Sequence, residues 1–224
     1  MIEAQVSARA NAILYRIHCR SGRRLIINGA RRVALILLNK PFRVLSQFSA
    51  DGDRRTLSDF LDIPRVYPAG RLDFDSEGLL LLTDNGRLQA QIASPRYKTH
   101  KHYWAQGEGS AKLDVPATLL RGVTLKDGPA RALAAQCISP PDEVWDRDPP
   151  VRFRKTVPDH WLSITIGAGR NRQVRRMTAA AGAPPLRLNR SQVGPWTVND
   201  NAPGEYRQLD DNEAFAALRE SRRS

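Results

Sequence analysis

The feature that most constrains the fold of this chain is an acidic loop that runs directly into four consecutive leucines. Within the stretch 66–85, Asp73, Asp75 and Glu77 precede Leu79–Leu82. A short apolar run that ends at turn residues, here Asp-Asn-Gly, is typical of a strand buried on both faces. The sequence therefore predicts a central buried strand with an acidic loop at its N-terminal end.

The rest of the chain is strongly basic, with 35 Lys and Arg against 23 Asp and Glu and a formal net charge of +12. Such an excess attracts polyanions, of which nucleic acid is the commonest in a cytoplasm. A charge that serves only solubility remains the alternative. No apolar stretch reaches the roughly 18 residues of a membrane span, and the N-terminus lacks the apolar core of a secretory signal. Cys19 and Cys137 have no partners at metal-ligand spacing, which favours a reduced cytoplasmic setting.

The chain divides by composition into three parts. Residues 1–32 carry one acid, Glu3, among many arginines, and we expect a basic N-terminal arm of a kind that is often disordered until it meets an acidic partner. An ordered domain is expected over 33–210, followed by a C-terminal helix or tail over 211–224.

Periodicity and turn residues predict many strands and several separate helices. The predicted strands are 33–41, 79–82, 101–106, 123–125, 130–138, 161–166, 186–190 and 205–209. The predicted helices are 56–61, 87–93, 116–121, 170–181 and a last one that Asp210 or Asp211 caps. Four prolines bracket a connection around Trp145 that we expect to be exposed. This mixture predicts an α+β fold with a mixed or mainly antiparallel sheet.

The acidic loop is open to several interpretations. Its spacing approaches a calcium loop, but the leucine run replaces the second half of that loop and Pro68 denies it an entering helix, so no metal site is predicted. Asp73 and Asp75 point to opposite faces of an extended chain, which argues against one acid/base pair. A glycosidase would need a second carboxylate across its substrate, which the sequence does not locate. A solvated, self-capping turn remains the plain alternative.

A second candidate site is the basic segment 167–176. Its Gly-x-Gly resembles a dinucleotide fingerprint, but Arg172 stands where the third glycine belongs. Arg170, Arg172, Arg175 and Arg176 instead predict a basic helix start that contacts phosphate, with a solvated basic face as the alternative. Upstream, the residues 98–104 combine lysines and histidines with Tyr103, a pattern that suits either an ordinary sheet strand or stacking on RNA bases.

Three motifs together resemble one family. Residues 70–83, 101–103 and 169–177 follow the order and form of the motifs of RsuA/RluA-type pseudouridine synthases, and the resemblance covers roughly 35–209. It implies the pseudouridine synthase catalytic fold: a mixed, mostly antiparallel sheet in two parts, flanked by helices, around a central basic cleft. It also implies that no metal or organic cofactor takes part.

The resemblance assigns roles to individual residues. Asp73 would be the catalytic aspartate and promote cleavage of the uridine N-glycosidic bond, as a nucleophile or by removing a sugar proton. Tyr103 would contact the flipped uracil, Arg175 would pair with Asp73 and hold it ionised, and Arg71 would fill the gap left by the extruded base. The residues expected to bind RNA are Arg71, Lys101, Arg170, Arg172 and Arg176.

The chain departs from the family pattern at two points. Many relatives begin with a small S4 RNA-binding domain, whereas only the basic arm precedes Val33, so RNA selection is expected to fall on the arm and the cleft. The glutamate expected before Gly169 is absent.

The resulting expectation is a monomeric, cytoplasmic enzyme that isomerises a specific uridine of 23S rRNA, either naked or in a large-subunit assembly intermediate. A catalytically silent rRNA-binding or assembly factor, and more distantly a glycoside or nucleoside hydrolase, remain the alternatives.

Overall fold

The computed structural model describes residues 8–9, 12–18, 24–28, 34–108, 114–151, 159–167, 169–198 and 201–223. The first three ranges are the strands β1 (Ala8–Arg9), β2 (Ala12–His18) and β3 (Arg24–Asn28), which pair in antiparallel order. The sequence predicts a basic arm of a kind that is often disordered, with one short amphipathic piece around residues 12–17, and β2 includes that piece. Isoleucines in β2 and β3 suit a sheet, and the arginine content of the arm conceals that signal. The other residues of the arm lie outside the described ranges.

The described residues from 34 onward contain eleven further strands and four α-helices. The strands are β4 (Leu35–Lys40), β5 (Tyr67–Pro68), β6 (Glu77–Thr83), β7 (Lys101–Glu108), β8 (Val123–Leu125), β9 (Gly128–Ala130), β10 (Ala134–Ile138), β11 (Asp159–Ile166), β12 (Pro185–Val193), β13 (Trp196–Thr197) and β14 (Tyr206–Leu209). The helices are α1 (Gly86–Ala93), α2 (Val115–Arg121), α3 (Gln173–Ala180) and α4 (Asp211–Glu220). Short 3-10 turns occupy Leu57–Asp59 and Pro95–Tyr97.

Nine strands form one mixed sheet, in the order β10-β11-β7-β12-β6-β4-β14, with β13 added to β12 and β5 to β6. Two antiparallel parts meet where β12 and β6 run parallel, in a short register of Asn189 with Glu77 and Arg190 with Gly78. The predicted α+β fold with a mixed, mostly antiparallel sheet is confirmed. The acidic loop enters the sheet at this junction.

The leucines of β6 face both sides of the sheet, as the buried run predicts. Leu80 and Leu82 pack on what we call the cleft face, with α2, α3 and the β8–β9 hairpin. Leu79 and Leu81 pack on the back face, with α1 and α4. Because every residue of β6 is buried, this strand is a rigid support for the loop that precedes it.

Glycine is required at position 78, where β6 meets β12. Gly78 has φ +102°, and a Cβ there would lie 2.5 Å from the carbonyl oxygen of Arg190 and 2.4 Å from Asn189 Oδ1. The absent side chain allows the two parts of the sheet to approach closely at the junction.

Three local predictions need correction. The helix expected from 170 begins at Gln173, because Arg172 adopts a left-handed conformation (φ 48°) and acts as the N-cap. The helix expected over 56–61 is a single 3-10 turn. The connection around Trp145 is not simply exposed: Trp145 is half-buried and packs against the back face. Among the described residues, no helix is long and apolar enough to cross a membrane.

Candidate active site

The loop Gly70–Ser76, which we call the Asp73 loop, is tied to the segment that follows β4. The backbone N–H of Arg43 donates to the Phe74 carbonyl at 2.9 Å. Ser46 Oγ donates to the Leu72 carbonyl at 2.7 Å and accepts from the Leu72 N–H at 3.2 Å. Within the loop, the Ser76 N–H donates to the Asp73 carbonyl at 3.0 Å. These bonds hold the backbone on both sides of Asp73.

A buried lysine holds the segment after β4 to which the Asp73 loop is bound. Lys40 ends β4 on the cleft face, is 0% exposed, and donates through Nζ to the carbonyls of Pro41 at 2.9 Å and Val44 at 2.8 Å. Burial lowers the pKa of Lys40 to about 7, against an opposing effect of Glu77. The sequence-based prediction gives Lys40 no place in the site; a lysine at the end of an apolar run is the signal that could have revealed it.

The Asp73 loop forms one wall of a cleft of about 460 Å³. Of the eight predicted site residues, six line it: Arg71, Asp73, Lys101, Tyr103, Arg170 and Arg172. Arg190 also lines the cleft, whereas Arg175 and Arg176 do not. The described lining thus contains five cationic side chains and one carboxylate, that of Asp73. A cleft of this size accommodates a single nucleotide-sized ligand, and its charge favours an anionic one.

Strand β7 supplies two residues to the cleft. Tyr103 is 7% exposed and lies between Ile164 of β11 and Arg190 of β12 in the sheet. Lys101 is also buried and donates through Nζ to the Thr99 carbonyl at 3.1 Å. Burial, with a smaller effect of Arg190, lowers the pKa of Lys101 to about 8. Lys101 therefore carries its charge at neutral pH and loses it in mildly alkaline solution.

The arginines at the start of α3 hold the acidic loop. Arg172 binds Asp75 through two parallel hydrogen bonds of 2.7 Å, and its Nη1 lies 3.8 Å from Asp73 Oδ2. Arg175 donates to the Asp75 carbonyl and, at 3.3 Å, to Ser76 Oγ. Burial alone would raise the pKa of Asp75, but the hydrogen bonds from Arg172 and the charge of Arg175 outweigh it and lower that pKa.

The contacts of Arg175 differ from the predicted pair with Asp73, and the role assigned to Arg175 stays a prediction. Its Nε lies 3.5 Å from Asp75 Oδ2, whereas the ion pair that Asp73 makes in the described structure is with Arg172. The reason is the turn that the Ser76-to-Asp73 hydrogen bond closes. This turn presents the Asp75 carbonyl and the Ser76 hydroxyl to α3.

Two further arginines bind the turn of the β8–β9 hairpin. Arg176 binds the Asp127 carboxylate through hydrogen bonds of 2.7 and 2.9 Å. Arg170 donates to the carbonyls of Asp127 at 2.8 Å and Pro129 at 2.7 Å. The hydrogen bond from Arg176 lowers the pKa of Asp127. Both guanidinium groups already have partners within the protein, and phosphate contact by Arg170, Arg172 and Arg176 stays a prediction.

Arg71 differs from these arginines. Its side chain is exposed at the cleft, and no described residue hydrogen-bonds or pairs with its guanidinium. Its backbone is held by Arg190, a buried residue whose Nη1 donates to the Arg71 carbonyl at 3.4 Å and whose Nε donates to that of Leu79 at 2.8 Å. Sequence reasoning missed Arg190, whose signal is an arginine inside a predicted strand.

His102 of β7 contacts a hydroxyl group on the neighbouring strand β11. His102 Nδ1 lies 2.8 Å from Thr165 Oγ1, and burial, with a smaller effect of His100, lowers the pKa of His102. Within the described ranges, no group of three or more His, Cys, Asp or Glu side chains is placed to hold a metal ion. The side chains that line the cleft therefore offer one carboxylate, that of Asp73, among cationic groups and beside the ring of Tyr103.

Comparisons with known proteins agree with this geometry. Residues 34–180 match the family model described as RNA pseudouridylate synthase. The ribosomal large subunit pseudouridine synthase E of Xanthomonas axonopodis pv. citri (strain 306) is 53% identical over 171 residues, which cover 75% of this chain and 90% of that protein. The protein of the same name from Vibrio vulnificus (strain CMCP6) is 49% identical, over 78% of this chain and 74% of its own length.

A solved structure shows the same fold. The chain aligns with a crystal structure of pseudouridylate synthase at a TM-score of 0.65 and 28% identity, over 86% of this chain and 76% of the other. Sequence motifs, fold and cleft thus lead to one assignment. This chain belongs to the RNA pseudouridylate synthase family and is an isomerase that acts on RNA.

Proposed function

We propose that this protein isomerises a specific uridine of large-subunit (23S) rRNA to pseudouridine, with Asp73 as the catalytic group. The observation that carries the proposal is that Asp73 supplies the one carboxylate in the described lining of a cationic cleft, beside the buried ring of Tyr103. Uridine has no charge of its own, so the cations serve the phosphates on either side of it, while the carboxylate and the ring face the nucleoside.

Asp73 would act on the sugar of the bound uridine. An aspartate works as a nucleophile or as a base in its ionised form, and Arg172 provides a positive charge 3.8 Å from its Oδ2. After the N-glycosidic bond breaks, the uracil would rotate against Tyr103 and form a new bond to the sugar through C5. C5 then loses its hydrogen to solvent and N1 takes up a proton in its place, so substrate and product have the same composition, as an isomerisation requires.

Access to the sugar requires that the base leave its stack, at a cost of a few kcal/mol. Arg71 is suited to occupy the vacated space, because its long planar side chain is exposed and lies two residues before Asp73. Arg190 fixes its backbone while leaving the guanidinium unengaged by the described residues. We therefore assign Arg71 the role of filling the gap in the RNA.

The proposed substrate follows from the names of the relatives and from charge. The two similar proteins above are named as large-subunit enzymes, and a net charge of +12 suits a polyanion. Lys101, Arg170, Arg172 and Arg176 would contact the RNA backbone, with the basic arm adding long-range attraction. A monomer working in the cytoplasm, on naked rRNA or on an assembly intermediate, completes the proposal.

Asp73→Asn tests the proposal, because it keeps the shape of the side chain and removes its charge. We expect no tritium release from rRNA carrying uridine labelled at C5, with the affinity for RNA within about twofold of wild type. Asp84→Asn is the matched control, since Asp84 is exposed and follows the far end of β6. Full activity of the Asp73 variant would refute the role of Asp73.

The wild-type protein tests the reaction itself. Mapping of pseudouridine in large-subunit rRNA, with and without treatment by the protein, identifies the modified position. An absence of pseudouridine on every fragment would favour a silent binding factor, and release of free uracil would indicate a hydrolase.

A further inference from the structure

The segment 139–151, which we call the strap, leaves the edge strand β10 and reaches the middle of the sheet on its back face. There the Trp145 indole Nε1 donates to Glu77 Oε2 at 2.9 Å, and the Trp145 carbonyl accepts from Arg187 at 2.9 Å. Arg187 also binds both carboxylate oxygens of Glu77, at 2.7 and 2.9 Å. The Glu77 carboxylate, 1% exposed, thus has three donors in a dry site.

The strap has a second attachment at Arg147. Its guanidinium donates to the carbonyls of Pro149 at 2.9 Å and Pro150 at 3.1 Å, which fixes the local shape of the strap. The same group lies 4.1 Å from the centre of the Phe42 ring. Phe42 precedes Arg43, whose N–H holds the Asp73 loop at the Phe74 carbonyl.

Both attachments therefore end next to a residue whose backbone N–H makes a hydrogen bond to the Asp73 loop. Glu77 directly follows Ser76, whose N–H donates to the Asp73 carbonyl. Phe42 directly precedes Arg43, whose N–H donates to the Phe74 carbonyl. We propose that Trp145 is a positioning residue for the reaction: through Glu77 it sets the place of Asp73 from the opposite face of the sheet. This inference rests on the proposed function of Asp73.

Trp145 supplies one of the three donors that bind the Glu77 carboxylate. Without the indole N–H, Glu77 Oε2 keeps a single donor in a site that water does not reach, a loss that is costly for a buried charged group. The carboxylate then relaxes toward Arg187 and draws the start of β6 with it. A displacement of about 1 Å at a reacting group costs as much as a hundredfold in rate, and a smaller shift transmitted through Ser76 should cost about tenfold.

Trp145→Phe is the test, because the ring over Arg187 is retained (5.8 Å from Arg187 Cζ to the Trp145 ring) while the N–H is removed. Trp196→Phe is the matched control. Trp196 is buried in the same back-face core, but its Nε1 has no hydrogen-bond partner among the described residues. The two variants lose the same atoms, and Trp145→Phe alone loses a bond to Glu77.

We measure the single-turnover rate of tritium release at saturating enzyme, and the RNA affinity of each variant in the Asp73→Asn background. Trp145→Phe should lower the rate constant about tenfold with the dissociation constant within twofold, and Trp196→Phe should change neither. An unchanged rate constant for Trp145→Phe, or equal losses in both variants, overturns the inference. So does a loss that follows the melting temperature across the variants, since that is the behaviour of a merely structural residue.

If Trp145→Phe proves unfolded, Arg147→Lys carries the test, because it loosens the strap at Phe42 and so weakens the hold of Trp145 on Glu77 without changing either residue. A threefold to fivefold fall in the rate constant at unchanged RNA affinity is then expected, and an unchanged rate constant overturns the inference. Wild-type protein that fails to release tritium would refute the proposed function instead, so the two failures are distinguishable.

Discussion

Two carboxylates two residues apart bind arginines on opposite faces of the same sheet. Asp75 faces the cleft side, where Arg172 binds it with two hydrogen bonds of 2.7 Å. Glu77 faces the back, where Arg187 binds it with bonds of 2.7 and 2.9 Å. The geometry of the two pairs is nearly the same, but the side chains of the first are 36% and 43% exposed and those of the second 1% and 6%.

Because of this difference in exposure, the two carboxylate–arginine pairs differ in how much they contribute to stability. In water, the attraction between Asp75 and Arg172 is screened, and exposed pairs contribute about 0 to 1 kcal/mol. In the dry site of Glu77, removal of one partner leaves an uncompensated charge, which costs about 3 to 5 kcal/mol. The exposed pair can therefore release its arginine to another anion, such as an RNA phosphate, whereas the buried pair holds the junction of β6 and β12 together.

The largest expected effect is that of Arg187→Met, which leaves Glu77 buried without its cation. The free energy of unfolding, measured by urea denaturation at pH 7, should fall by about 3 to 5 kcal/mol. A double variant, Arg187→Met with Glu77→Leu, should regain most of this loss, because it removes both charges and keeps the volume apolar. A loss below about 1 kcal/mol in the single variant would mean that water reaches the Glu77–Arg187 pair. The buried and the exposed pair would then not differ in their contribution to stability.

An intermediate effect is expected at Lys101, a buried cation whose hydrogen bond goes to a backbone carbonyl. Since burial lowers its pKa to about 8, the charge is present below that pH and is lost above it. The RNA affinity should therefore fall as the pH rises from 7 to 9, and the slope of log affinity against log salt should shrink by about 0.7 to 0.9, one phosphate contact.

Lys101→Arg is the control for this titration, since arginine stays charged throughout the range. The folded protein should also gain stability with increasing pH between about 8 and 10.5, because in that range the unfolded chain binds the additional proton. Salt slopes that are equal at pH 7 and pH 9 in the wild-type protein would contradict a phosphate contact by Lys101.

The smallest effect is expected for Asp75→Asn. We expect a loss of about 0.5 kcal/mol in the free energy of unfolding. This loss should vanish near 1 M salt, where the screening length is about 3 Å, while the loss in Arg187→Met persists. Titration of the salt concentration in parallel denaturation experiments compares the two pairs directly, and a salt-insensitive loss at Asp75 would place it with the buried pair.

The stability that the Asp75–Arg172 pair contributes depends on pH. Because the pKa of Asp75 is lowered from its ordinary 3.8, its contribution to stability is present above about that pH and is lost as the pH falls through the folded-state value. The difference in stability between wild type and Asp75→Asn should therefore disappear in acid. A difference that grows toward low pH would contradict the lowered pKa.

Much of the fold was predictable because its signals are local. The alternating strand β7, the buried run of β6 and the Asp210 cap of α4 each depend on neighbours in sequence. The strap was not predictable in this way. Its prolines and charges indicate an exposed connection. Trp145 is half-buried because it binds the Glu77 carboxylate, which is distant from it in sequence.

The candidate site divides in the same manner. The motifs singled out Asp73, Tyr103, Arg71 and Lys101, and all four line the cleft, while the roles assigned to them stay predictions. Lys40 and Arg190 were missed, since a buried cation looks like any other charge in a sequence until its carbonyl partners are known.

The sequence by itself determined the buried strand, the acidic loop that it supports and the family to which both belong. All of these are written in residues that are adjacent or regularly spaced. The tertiary structure decided which acid meets which arginine: Arg172 lies 97 positions from Asp75, and Arg187 lies 110 from Glu77. Such partners depend on the register of the sheet and on the positions of α3 and β12. Local sequence does not encode these long-range pairings, because any of the chain's many arginines could satisfy a carboxylate equally well.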